Sequence, residues 1–246
     1  MAKPALIFAF MILMAVTACH RESRLPATIQ GRLPGGAGMK LILEEMDTHA
    51  IHPFDSLTLD TAGFFTFKIP VTSAGFWTLR APSGKILTLL LYPGNRIELA
   101  GSFIDFPDRV QVKGPEEAMR LQEFFSFTRK QEKQVDSLEM MLIAFQDQEG
   151  YYELTQKIDT LFKKIWDKQR GYEMEFIRKY PSSPASLIVL NYAFGLSPVL
   201  SPQEDLEWYM RVDSALQLTL SDNKHVKYHH QRVGEYLRNQ GKKSDE

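Results

Sequence analysis

Cysteine is almost missing from this chain: there is one, Cys19, in 246 residues. A single thiol forms no intramolecular disulfide and leaves no Cys-x-x-Cys pair for thiol exchange. Charge of one sign is also lacking. The formal net charge is −1, so no global basic field attracts nucleic acid or acidic lipid. No internal repeat is present, and no apolar run reaches the roughly 20 residues that cross a bilayer as a helix. The content is otherwise that of a globular protein, 44% hydrophobic and 24% charged, and 11% aromatic residues argue against disorder.

The first residues read as targeting. Lys3 precedes an apolar run from Ala5 to Ala18, the length of a signal-peptide core. The run ends in Val16-Thr17-Ala18-Cys19 and is followed by polar residues from His20 to Arg24. This junction resembles a bacterial lipobox, which implies lipidation of Cys19 after cleavage. A diacylglycerol supplies two chains, each buried methylene contributing ~0.8 kcal/mol, enough for stable anchoring. Glu22 stands alone between Arg21 and Arg24. Without an acidic run after the cysteine, the expected site is the cell envelope, with a lipid anchor on the outer membrane facing the periplasm.

From Pro26 to Lys113, short alternating segments recur between Gly/Pro turns, the pattern of a β-sandwich or barrel. Leu87, Leu89, Leu90 and Leu91 form a nearly continuous apolar run, as in a strand buried on both faces. The period then changes. Gly114-Pro115-Glu116-Glu117 opens a helix, and apolar residues recur at three- and four-residue steps until Gly150. A second amphipathic run ends near Tyr180-Pro181, so the pair is expected to form an antiparallel hairpin. Shorter helices are expected at Ala185–Phe194, after the Ser201-Pro202-Gln203-Glu204 capping box, and from Asn223 to about Asn239. The predicted class is α+β, an antiparallel β-sandwich followed by a helical bundle. Its divisions are a signal peptide (1–18), a tether (19–27), a β domain (28–114), a helical domain (115–240) and a polar tail (241–246).

Several segments, in order, carry a resemblance: Asp55-Ser56-Leu57, Gly63-Phe64-Phe65-Thr66-Phe67, Pro93-Gly94-Asn95-Arg96-Ile97-Glu98-Leu99, Val112 to Ala118, and Tyr180-Pro181-Ser182-Ser183-Pro184-Ala185-Ser186. Their order is similar to the N-terminal region of Bacteroidota thioredoxin-like envelope thiol-disulfide oxidoreductases. There a β-rich domain of unknown function and a helical segment precede the thioredoxin fold. The resemblance spans about Thr28 to Val233, and no redox cysteine pair exists to carry over. It implies an accessory region without the enzyme, with a separately encoded thioredoxin-fold protein as partner and no cofactor.

Other chemistry is sparse. His225 and His229 stand at i and i+4, one face of a helix, where two imidazoles can converge on a metal. The intervening residues hold no zincin glutamate, and a solvated helix face is the plainer expectation. His49 and His52 fall in a loop candidate. Asp55 and Ser56 lack a nucleophile elbow, and Gly35 to Gly38 reads as a hairpin turn rather than a phosphate loop. Phe64, Phe65, Phe67, Phe76 and Trp77 cluster on strands, with core packing preferred. Exposed Phe65 and Trp77 would favour a ligand-binding protein for glycans or small apolar molecules. The function expected first is a non-catalytic interaction module; an enzyme ranks last, because no nucleophile, base and orienting group occur together.

Overall fold

A computed structural model describes residues 25–195 and 197–243. The signal segment, Cys19 and the last three residues lie outside that range. The chain is α+β, with sheets in its N-terminal half and helices in its C-terminal half.

Eight strands build two four-stranded sheets. The first joins β1 (Ala27–Arg32), β4 (Phe64–Ile69), β7 (Arg96–Ala100) and β8 (Gln111–Lys113) in the order β4-β1-β7-β8. The second joins β2 (Lys40–Met46), β3 (Ile51–Thr58), β5 (Gly75–Arg80) and β6 (Ile86–Leu91) in the order β3-β2-β5-β6. Pairing is antiparallel except between β1 and β7, which run parallel with Ile29 opposite Ile97. That pair departs from the expected all-antiparallel arrangement. β3 also takes in His52, a residue expected in a loop.

Alternation decides what each strand buries. Along β4, Phe65, Phe67 and Ile69 point inward while Phe64, Thr66 and Lys68 face solvent. Both sheets contribute to one buried cluster, Ile29, Phe67 and Leu99 from one and Leu43, Trp77 and Leu89 from the other. β6 is buried on both faces as its apolar run predicts: Leu87, Leu89 and Leu91 join that cluster, whereas Leu90 joins Phe76 in a second one shared with the helices.

The β3–β4 turn shows how local chemistry sets the register. The Asp60 carboxylate accepts hydrogen bonds from the backbone N–H of Ala62 and Phe64, at 2.9 and 2.8 Å. Gly63 follows at φ +81°, where any Cβ would also stand 2.4 Å from the Leu33 carbonyl oxygen.

The helices are α1 (Glu116–Phe145), α2 (Tyr151–Lys179), α3 (Ala185–Leu190), α4 (Leu206–Leu220) and α5 (Lys224–Lys243). α1 and α2 pack as a hairpin about Gly150, at φ +85°. The buried residues of α1 all lie between Ala118 and Val135. Beyond them Met140, Ile143 and Phe145 are exposed, so the distal end of the hairpin stands clear of the core. α3 is shorter than expected. It closes at Leu190, where the Asn191 side-chain amide donates to the Leu187 carbonyl at 2.7 Å, and Ala193–Phe194 forms a two-residue strand, β9, with β10 (Ser197–Pro198).

The Ser201 box makes a turn instead of opening α4. Its hydroxyl does accept from the Glu204 N–H at 3.3 Å, yet the helix begins after Asp205. Asp205 is drawn away from capping: its carboxylate binds the Arg170 guanidinium and accepts the Ser201 N–H at 3.0 Å. α5 runs on to Lys243, into the expected tail.

A polar cluster lies inside the helical half. Gln169 Nε2 donates to Thr128 Oγ1 at 3.0 Å and to Glu173 Oε1 at 2.9 Å, and both Gln169 and Glu173 are fully buried. Burial pushes the Glu173 carboxyl up to about 9. Among the described residues, Glu173 Oε2, Gln169 Oε1 and Gln131 Oε1 find no donor. A protonated Glu173 brings one donor into this surplus of acceptors.

Candidate functional site

The last helix is fastened to the second sheet, and a cleft forms where they meet. Asn223 Oδ1 accepts the backbone N–H of His225 at 2.9 Å and so starts α5 in the usual N-cap manner. The same side chain donates through Nδ2 to the Ala74 carbonyl at 2.6 Å. Lys224 adds ion pairs to Glu45 at 2.5 Å and Asp47 at 3.2 Å. These contacts hold the first turn of α5 against the ends of β2 and β5.

The cleft encloses about 260 Å³, more than the roughly 150 Å³ that holds a benzene ring in an engineered protein cavity. Its sheet side is Met46, Asp47, Thr48 and Phe76, and α3 with its C-cap adds Leu187, Ile188 and Asn191. From α5 come His225, His229, Arg232 and Tyr236, spaced i, i+4, i+7 and i+11, which is one helix face. Tyr209 of α4 closes the floor.

Both imidazoles are uncharged at neutral pH. His225 is 9% exposed and sits edge-on to Phe76, ring centroids 5.0 Å apart. Burial, helped by Lys224, pushes it down to about 4, and its Nε2 makes no hydrogen bond among the described residues. His229 lies 3.1 Å from the Tyr209 carbonyl through Nε2. A carbonyl only accepts, so this nitrogen carries the proton, and burial lowers the ring's pKa. Neighbouring His230 points elsewhere, with Nδ1 2.9 Å from the Asp213 carboxylate. The expected solvated histidine face is therefore replaced by two buried imidazoles. Among the described residues no three His, Cys, Asp or Glu side chains gather as a metal-binding group.

Arg232 is the cation of the cleft. Its guanidinium lies over the rings of Tyr228 and Tyr236, 5.8 and 5.4 Å from their centroids, and donates to the Tyr236 hydroxyl. Burial works against the charge, but the Tyr236 and Tyr228 hydroxyls together outweigh it and raise the pKa. The Tyr209 hydroxyl is taken by two carbonyls, Leu190 at 2.7 Å and Leu200 at 3.1 Å. Its pKa is raised by burial, so it serves as a fixed wall rather than an acid.

Phe65 and Trp77 are 6% and 5% exposed and belong to the buried cluster to which both sheets contribute. The ligand-contact role considered for them requires exposure, and the phase of β4 turns Phe64 outward in place of Phe65. Arg32 lies over that exposed Phe64 ring at 5.3 Å. Asp55 Oδ1 accepts the Ser56 N–H at 2.7 Å, as at a strand edge. Residues that sequence reading passed over are Asn191, Tyr209, Arg232 and Tyr236. The one available signal was the helical spacing of Arg232 and Tyr236 from His225.

The chain matches no family model and no curated protein. Among solved structures it is similar to an NMR structure of a protein from Eubacterium rectale. That likeness has 14% identity and a TM-score of 0.23, covering 39% of this chain and 93% of the other. A likeness that low carries no argument about fold or function. No described helix is long and apolar enough to cross a membrane.

Proposed function

We propose that this protein is a non-catalytic bacterial envelope lipoprotein that works by binding, with its β/α body held at the outer membrane by lipid on Cys19. The observation that carries this reading is the position of the one thiol. It stands at the end of an apolar signal-like run, and residues 25–243 contain none. A protein partner follows from the resemblance to the accessory region of thioredoxin-like oxidoreductases, whose redox domain would then be supplied by another chain. In this reading the two sheets form a β-sandwich, supported by the single buried cluster they share, and the helices form a bundle beside it.

The test is a mild crosslinking pull-down of the full-length protein from native envelopes, compared with Cys19→Ala. Repeatable enrichment of a thioredoxin-fold enzyme supports the partner reading; a clean preparation sinks it. Metabolic labelling with a fatty acid, lost in Cys19→Ala, tests the anchor separately.

A second reading, a lipoprotein that binds a small ligand, is favoured by one observation: the aromatic-walled cleft beneath α5. Phe65 and Trp77 take no part in it.

A further inference from the structure

We infer that the cleft between the second sheet and α5 is a binding site for a small organic carboxylate with an aromatic or aliphatic body, anchored by Arg232. The inference deepens the small-ligand reading and does not depend on a protein partner.

Three features specify the ligand class. First, the cleft supplies a cation with no counter-ion. Among the described residues Arg232 has no carboxylate within ion-pair distance; its contacts are the Tyr228 and Tyr236 side chains, rings and hydroxyls. The acidic groups nearby are already engaged: Asp47 by Lys224 and the Thr48 N–H, Asp213 by His230, Glu235 by Gln231. A guanidinium in this setting matches a carboxylate, which accepts paired N–H donors in its own plane.

Second, the cleft holds an unsatisfied polar group. His225 is nine-tenths buried, lines the cavity, and has an Nε2 without a partner. Buried polar atoms are nearly always bonded, and one left open beside a cavity is available to a water or a ligand group that enters it. As an uncharged ring it can give or take one hydrogen bond without adding charge.

Third, the remaining walls are largely apolar, with Asp47, Thr48 and Asn191 as polar members and the Asp47 carboxylate already held by Lys224 and the Thr48 N–H. Met46, Phe76, Leu187 and Ile188 line the sheet and α3 sides. Enclosure by apolar walls with a few convergent polar groups is the usual composition of a small-molecule site. The volume of about 260 Å³ takes one substituted ring or a short acyl chain.

Phenylacetate is the probe, with phenylacetamide as its uncharged counterpart of the same shape. The full-length protein in lipid nanodiscs is titrated with each by calorimetry and by saturation-transfer NMR. The expected result is binding of phenylacetate, with phenylacetamide weaker by about tenfold or more, the loss of one charge-assisted pair. Arg232→Met, which keeps the stem and removes the charge, should abolish this preference while leaving the thermal midpoint within a few degrees. Leu187→Trp, which fills the cleft, should remove binding of both probes. Equal binding of the two probes by the unaltered protein would overturn the carboxylate assignment. No binding of either, with the fold intact by NMR, would overturn the site itself. Recovery of a protein partner from envelopes alongside that second outcome would leave the anchored-binding reading standing.

Discussion

The Phe65 ring lies over Gly31, its partner on the neighbouring strand, and occupies the space a side chain would need. A Cβ at Gly31 would stand 2.9 Å from Phe65 Cε1 and 2.4 Å from the Leu99 carbonyl oxygen. The second contact is backbone on β7, so it cannot turn aside as a side chain would. Gly31 thus lets β1 sit between β4 and β7 with an aromatic ring closing the gap.

Gly31→Ala should therefore destabilise the protein by about 1–3 kcal/mol, the usual cost of overpacking. Gly171, exposed within α2, is the contrasting case: a Cβ there would meet nothing within 4 Å. Gly171→Ala should stabilise by about 0.5–1 kcal/mol. Urea midpoints of the two variants, compared at constant slope, check the pair of signs.

Glu173 predicts a loss of stability as pH rises from its unfolded pKa of 4.5 towards about 9. Its folded pKa, about 9, lies above the ordinary 4.5, so the folded state binds the extra proton. Stability is full below the unfolded value and falls as pH rises through the folded one, by at most ~1.4 kcal/mol per pH unit for one proton. Glu173→Gln should flatten the profile between these values and exceed the unaltered protein in stability near pH 8. Equal slopes for the two proteins would contradict the assignment.

His225 predicts the opposite sign on the acid side. Burial depresses it from 6.5 to about 4, so the unfolded state binds the proton first. The stability it contributes is present above the unfolded value and drains away as pH falls towards 4. Its imidazole resonance should titrate near that value in NMR spectra, and His225→Phe should reduce the acid-limb slope.

Asp205 should matter more than its place before a helix implies. Its carboxylate is 5% exposed and binds Arg170, which is 30% exposed. Asp205→Asn keeps the shape but removes the charge, and should cost about 1.5–3 kcal/mol, the range for hydrogen bonds to charged groups. Thermal unfolding at two salt concentrations measures it, with little salt dependence expected for a pair this enclosed.

The strands were legible because alternation and Gly/Pro turns are local signals, and β4 and β6 follow them closely. The β1–β7 parallel pairing was not, since it joins segments more than sixty residues apart and leaves no mark on either. Phe64 and Phe65 show the same limit in one dipeptide: period two says that one is inside, and only the tertiary packing of β4 says which. The His225 face misled for a related reason. A helix rich in His, Lys and Arg reads as solvated, yet Asn223 and Lys224 pin its first turn to the sheet and bury those rings. At Ser201 the motif was present, but the Arg170–Asp205 pair shifted the helix start.

The Asn223–Ala74 bond joins residues 149 positions apart. During synthesis the end of the second sheet around Ala74 and Phe76 lacks its α5 cover until residues beyond 223 have emerged. That contact must then wait for α5, and a slow, non-local closing step should dominate the refolding kinetics. In a cell, that interval is when a chaperone would find this chain most exposed.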